Sequence, residues 1–136
     1  KYYVQIDKLI MYSNYFKELY NSVGELNPSS AMKEIELDDT DPISFYQILY
    51  YCYKGVLPNQ KLYNMYDWLA LLMTSTKYSF TIIINYCEYK IKKYISLKTI
   101  NEIDEYAEIN NATQLKESCH LFKVFYGLTN IKVKII

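Results

Sequence analysis

Three cysteines, a single histidine and a run of carboxylates are the residues of this 136-residue chain that could carry chemistry. Cys119 and His120 are the types needed for a thiolate nucleophile and its base. Adjacent positions on a helix point about 100° apart, however, so the two side chains cannot exchange a proton. Cys52, Cys87 and Cys119 are too widely separated for a C-x-x-C metal or redox motif and are odd in number. Each falls on an apolar helical face and reads as a buried free thiol of a reducing compartment. Glu34, Glu36, Asp38, Asp39 and Asp41 place five carboxylates within eight residues. Neither a second carboxylate cluster nor a glycine-rich phosphate loop accompanies them, so they read as a solvated strand face followed by a helix cap. Lys90, Lys92, Lys93 and Lys98 gather across a helix end, where cations suit the helix dipole, and read as a solvated face. From these residues we expect no catalytic residue, no cofactor and no metal ion.

The length allows one domain with a real core, because a chain of this size buries roughly two-thirds of its unfolded surface. Hydrophobic residues make up 51% and charged residues 22%, a balance that excludes general disorder. Formal net charge is zero and every basic residue is Lys. Guanine and phosphate are read best by the arginine fork, and duplex binding needs a basic face, so nucleic acid is not expected as a partner. The lack of Arg beside 17 Tyr points to AT-rich coding, which discounts tyrosine richness as a sign of a binding surface. Apolar runs such as Phe80 to Ile84 are far shorter than the roughly 20 residues that cross a bilayer. Without a visible signal peptide either, the chain is expected to be intracellular and free of membrane. That makes the glycosylation triplet Asn111-Ala112-Thr113 idle. A start at Lys1 reads as a fragment of a longer frame.

The elements that must position any site follow from periodicity. Lys1 to Gln5 is short, Tyr- and Val-rich, and reads as a strand. From Asp7 apolar residues recur at three and four through Leu9, Ile10, Phe16 and Leu19, giving one bent helix or two short ones. Asn21 to Ser30 has loop composition. Lys33 to Asp38 alternates Ile35 and Leu37 with acidic residues, as a half-buried strand does. The segment from Asp41 to Leu57 is the clearest: Asp41 caps, Pro42 occupies the first helical position, Phe45, Ile48, Leu49 and Cys52 form one stripe, and Gly55 ends the helix. Its other side carries Tyr46, Gln47 and Tyr50. Asp67 reads as the cap of a helix through Met73. A helix from Phe80 turns Ile83, Ile84, Cys87 and Ile91 inward and Glu88, Lys90, Lys92 and Lys93 outward. Ser96 caps a helix carrying Ile100, Ile103 and Ala107, and Thr113 to Phe125 carries Leu115, Cys119 and Phe122. Asn130 to Ile136 alternates again, as a strand or an unpaired extension. The sum is an α+β domain, mostly helical, with a small sheet flanked by helical hairpins.

The order of these pieces resembles a BTB/POZ domain, with its Skp1-like fold. Lys8-Leu9-Ile10-Met11 followed by Ser13-Asn14-Tyr15-Phe16 is similar to the family's "HK-x-x-L … S-x-Y-F" helix, with Asp7 where the family usually has His. Asp38 to Pro42 with Phe45 resembles its "D-x-x-P-x-x-F" entry. Tyr53-Lys54-Gly55-Val56-Leu57 resembles "Y-T-G-x-L", and Lys77-Tyr78 with Cys87 resembles "A-x-K-Y … C". Ile100 to Phe122 is similar to the helical pair that opens the BACK region. The resemblance implies residues 1–96 as a BTB/POZ core without the family's first strand, and residues 97–136 as the start of a BACK-like extension and tail. It implies a first and a second strand sharing a sheet, with Ile131 to Ile135 available to cover the vacant edge. It further implies a protein-interaction module that is not an enzyme: a substrate adaptor for a cullin-RING ubiquitin ligase, or alternatively a homo-oligomerising scaffold or transcription-regulatory domain without cullin binding. Val23-Gly24-Glu25 resembles the hydrophobic-x-Glu triplet with which such adaptors touch the cullin. Val23, Glu25, Asp39, Tyr46 and Tyr50 are thus the expected partner-binding residues, with a cullin scaffold or a second copy as the partner.

Overall fold

Asp41 starts the helix around which the others pack. Its carboxylate accepts from the backbone N–H groups of Ile43 at 3.4 Å and Ser44 at 3.3 Å, and from the Ser44 hydroxyl at 2.6 Å. Pro42 follows, where its missing N–H costs nothing. Gly55 closes the helix at φ 74°, a left-handed conformation that a side chain would strain. Asp41→Ala should lower the unfolding free energy by about 1 kcal/mol, measured by urea denaturation, because two first-turn N–H groups lose their acceptor.

The computed structural model describes residues 2–24, 35–128 and 134–136. Among the described residues there are seven α-helices: α1 Ile6–Ile10, α2 Asn14–Gly24, α3 Pro42–Lys54, α4 Met65–Lys77, α5 Thr81–Ile91, α6 Ile100–Ile109 and α7 Thr113–Phe125. Consecutive helices pack as hairpins, α1 on α2, α3 on α4, α4 on α5 and α6 on α7, while α1 also meets α3 and α5 also meets α7. Ile48 of α3, Leu71 and Leu72 of α4, Cys87 and Ile91 of α5, Ile103 of α6 and Leu115 of α7 are all fully buried, so one core runs through both halves of the chain. Phe45 and Ile48 face inward as their spacing requires.

The expected sheet is the main correction. Tyr2–Gln5 and Ile35–Leu37 form no regular secondary structure, and among the described residues no strand occurs. A strand exists only through a ladder partner. The Gln5 N–H instead donates to the Tyr53 hydroxyl of α3 at 2.8 Å. Of the alternating tail, Lys134–Ile136 is not strand and is exposed, and residues 129–133 lie outside the described residues. Three further differences are local. The helical period from Asp7 resolves as the two short helices, with Ser13 between them, but α2 runs on through residues 21–24, which composition reads as loop. Asn64, not Asp67, is the N-cap of α4; Asp67 completes a capping box by accepting the Asn64 N–H at 2.8 Å. Thr99, not Ser96, is the N-cap of α6, and its hydroxyl donates to the Tyr94 carbonyl at 2.6 Å.

Candidate partner-binding surface

The turn at Asp38-Asp39 precedes α3 and exposes both acidic residues. Asp39 adopts φ 51°, which Asp tolerates better than most side chains. Lys77, the last residue of α4, holds the turn from behind: its ammonium donates to the carbonyl oxygens of Asp38 at 2.6 Å and Asp39 at 3.0 Å. Thr40 hydrogen-bonds the Tyr78 hydroxyl and donates to the Asp38 carbonyl at 3.2 Å. With backbone carbonyls turned to Lys77, the carboxylates are left to solvent.

Tyr78 joins this turn to the core. Only 2% exposed, its ring stacks on Phe16 at 5.6 Å and meets Phe45 at 5.6 Å and Tyr15 at 5.2 Å, edge to face. Its carbonyl accepts the Ser13 hydroxyl at 2.5 Å, and the same Ser13 oxygen accepts the Phe16 N–H at 3.2 Å. Ser13 thus caps α2 while fastening it to the α4–α5 junction. The acidic turn, Lys77 and half-exposed Tyr15 consequently form one patch built on three helices. Val23 falls in the last turn of α2, in helix rather than loop, and Glu25 lies outside the described residues.

Tyr46 and Tyr50 come together elsewhere. Their rings are 6.3 Å apart on α3, and Tyr2 of the N-terminal segment lies 6.4 Å from Tyr46. With Val4, Leu49 and Tyr53 they line a shallow hollow of about 200 Å³. Gln47, expected beside them on an outer polar side, is 7% exposed, and its carbonyl oxygen has no hydrogen-bond partner among the described residues. The residues expected at a partner surface therefore divide between the acidic turn, with Asp39, and the tyrosine hollow. Sequence reasoning missed Lys77 and Tyr78 at the turn because their partners lie 38 and 39 positions away.

Cys52, Cys87 and Cys119 are buried free thiols. Burial pushes Cys52 up to about 11 and Cys87 well upward; at Cys119 burial, reinforced by Asp104 and opposed by Lys123, gives about 11. His120 is exposed while Cys119 is buried, so the adjacent pair faces apart. Among the described residues no group of three His, Cys, Asp or Glu could hold a metal ion, and no helix is long and apolar enough to cross a membrane. Folded protein at pH 8 should react with a chromogenic disulfide reagent far more slowly than urea-unfolded protein. Because the folded thiols keep protons that the unfolded ones release, stability should fall as pH rises from about 9 toward 11. A urea midpoint measured at pH 8 and pH 10 checks the sign.

A family model described as BTB/POZ domain matches residues 8–95, from α1 through the short 3-10 turn Lys92–Tyr94 that follows α5. No curated protein matches the chain.

Proposed function

The chain belongs to the BTB/POZ domain family, whose members are protein–protein interaction modules, and we propose that it serves as a non-catalytic substrate adaptor for a cullin-RING ubiquitin ligase inside the cell. The observation that carries this reading is the acidic turn: Lys77 and Thr40 hold the backbone carbonyls of Asp38 and Asp39, and both residues are exposed, so a partner meets an ordered acidic turn instead of a loop it must first order. Helices α6 and α7, joined to α5 through α7, lengthen the face such an adaptor could offer and support residues 97–136 as a BACK-like extension. Val23, in the last turn of α2, belongs to the same proposal, and Glu25 joins it through the resemblance of Val23-Gly24-Glu25 to the hydrophobic-x-Glu triplet.

Asp39→Asn removes the charge and keeps a residue that accepts the left-handed backbone. In a titration of the chain with a cullin N-terminal region, this variant should weaken binding by about threefold to tenfold, mostly through association rate, as loss of a rim charge does. Val23→Asp should weaken it further. Absence of binding at tens of micromolar rejects the cullin reading and leaves the family assignment intact. The tyrosine hollow favours a second reading, a homo-oligomerising scaffold: Tyr2 and Tyr3 are 55% and 80% exposed against Tyr46 and Tyr50, as residues waiting for a second copy would be. A mass by light scattering that stays monomeric at all concentrations removes it.

A further inference from the structure

Helix α5 presents an outer face that neither reading uses. Val56, Leu57, Ile82, Ile83 and Tyr86 line a hollow of about 210 Å³ between the exit of α3 and the start of α5, and Val56 and Ile82 are each more than half exposed at its lip. Tyr86 forms its far wall and continues into an aromatic and basic ladder. Trp68 lies edge-on to Tyr86 at 5.7 Å, Tyr89 stacks on it at 6.5 Å, the Lys90 ammonium is 5.4 Å from the Tyr86 ring, and the Lys93 ammonium is 5.1 Å from the Tyr89 ring. The Tyr86 hydroxyl donates to Gln60 at 2.6 Å, which fixes the wall.

The charge on this part of the chain is one-sided. Between residues 42 and 101 there are seven lysines and two carboxylates. Both carboxylates are engaged, Asp67 in the capping box of α4 and Glu88 in the interior, where it accepts the Leu115 N–H. Among the described residues neither Lys90 nor Lys93 forms an ion pair. Resting on aromatic rings, the two ammonium groups are held in place at little further entropic cost to a ligand.

We propose that this face docks an acidic segment of a partner protein, extended along α5, with one bulky apolar side chain in the hollow and its carboxylates over Lys90 and Lys93. The spacing agrees: Lys90 is one helical turn, about 6 Å, beyond Tyr86 along α5, and Lys93, in the 3-10 turn that follows, about 5–6 Å further. An extended peptide advances about 3.3 Å per residue, so carboxylates two to four residues from the anchor reach both. Single-stranded nucleic acid fits less well, because it needs open aromatic platforms along a basic groove, whereas Tyr86 is already packed by Trp68 and Tyr89. The docking is independent of cullin binding.

The test uses the chain alone and a fluorescein-labelled dodecapeptide with one central Trp and Glu pairs two to four residues to its C-terminal side, read by anisotropy. Saturable binding is expected near 100 μM, a usual affinity for a short segment on one shallow site. Lys90→Gln with Lys93→Gln, and separately Ile82→Asp, should each weaken binding about tenfold with circular dichroism unchanged. A peptide with Trp replaced by Gly should bind no better than the Ile82→Asp variant binds the original. No saturation below 1 mM overturns the proposal, as does binding indifferent to Ile82→Asp, which is charge attraction without docking. Tighter binding of a dodecathymidylate assigns the face to nucleic acid instead. Self-association abolished by the double lysine change assigns it to a second copy.

Discussion

Replacing Tyr78 with Ala should lower the unfolding free energy by about 3–5 kcal/mol, the range for truncating a buried aromatic ring. The ring is surrounded by Phe16, Phe45 and Tyr15, so α2, α3 and the end of α4 lose a shared contact at once. Aromatic pairs contribute beyond their buried area, which places this site toward the upper end of that range. Tyr78→Phe separates the two roles of the side chain. It keeps the ring and removes only the hydroxyl that meets Thr40. The expected loss in urea is about 1 kcal/mol. Amide exchange should then speed up at Asp38 to Thr40 and stay unchanged at Ile48. If Tyr78→Ala cost no more than Tyr78→Phe, the ring would not be the joint between the acidic turn and the core.

What could be read in the residues depended on how far each interaction reaches along the chain. Asp41, Pro42 and Gly55 act within four positions of themselves, so α3 was legible to its ends. The buried stripes of α5, α6 and α7 followed from period alone, as Ile83, Ile103 and Leu115 show. Asn64 and Asp67 divide one capping box between them, and composition cannot decide which of two such residues is the cap. Tyr2–Gln5 has strand-forming composition, but a strand is a relation between two segments, and among the described residues its long-range backbone bond, from Gln5, goes to a tyrosine hydroxyl. The candidate site was legible only in part for the same reason. Asp39 was found by its place before α3, whereas Lys77 and Tyr78, which give the turn its shape, act across the fold. The motif order did carry the family, because each BTB/POZ fragment is short but their sequence of spacings is constrained by how α1 to α5 pack.

Glu88 is the plainest failure of periodicity, and its replacement gives the second large effect. Three lysines that follow it, Lys90, Lys92 and Lys93, put the outer face of α5 at Glu88 by charge pattern, yet Glu88 is 3% exposed. Its position follows from Cys87 and Ile91 on one side and from α7 on the other: Oε1 accepts the Leu115 N–H at 3.3 Å. Ala112, the N-cap of α7, makes no side-chain cap bond, so a carboxylate from α5 does for α7 what Asp41 does for α3. A negative group also suits that end of the helix dipole. Glu88→Ala leaves the Leu115 N–H buried without its acceptor and opens a small void, for an expected loss of about 2–3 kcal/mol. Glu88→Gln keeps an acceptor of the same length and should lose less than half as much. The two losses should also differ in place. Since the main contact of the α6–α7 hairpin with the preceding helices is that of α7 with α5, amide exchange in Glu88→Ala should rise throughout α6 and α7 before it rises at Leu71 or Ile48. Uniform acceleration in every helix would mean that residues 97–128 and the BTB/POZ core unfold as one unit, and that Glu88 fastens no separable extension.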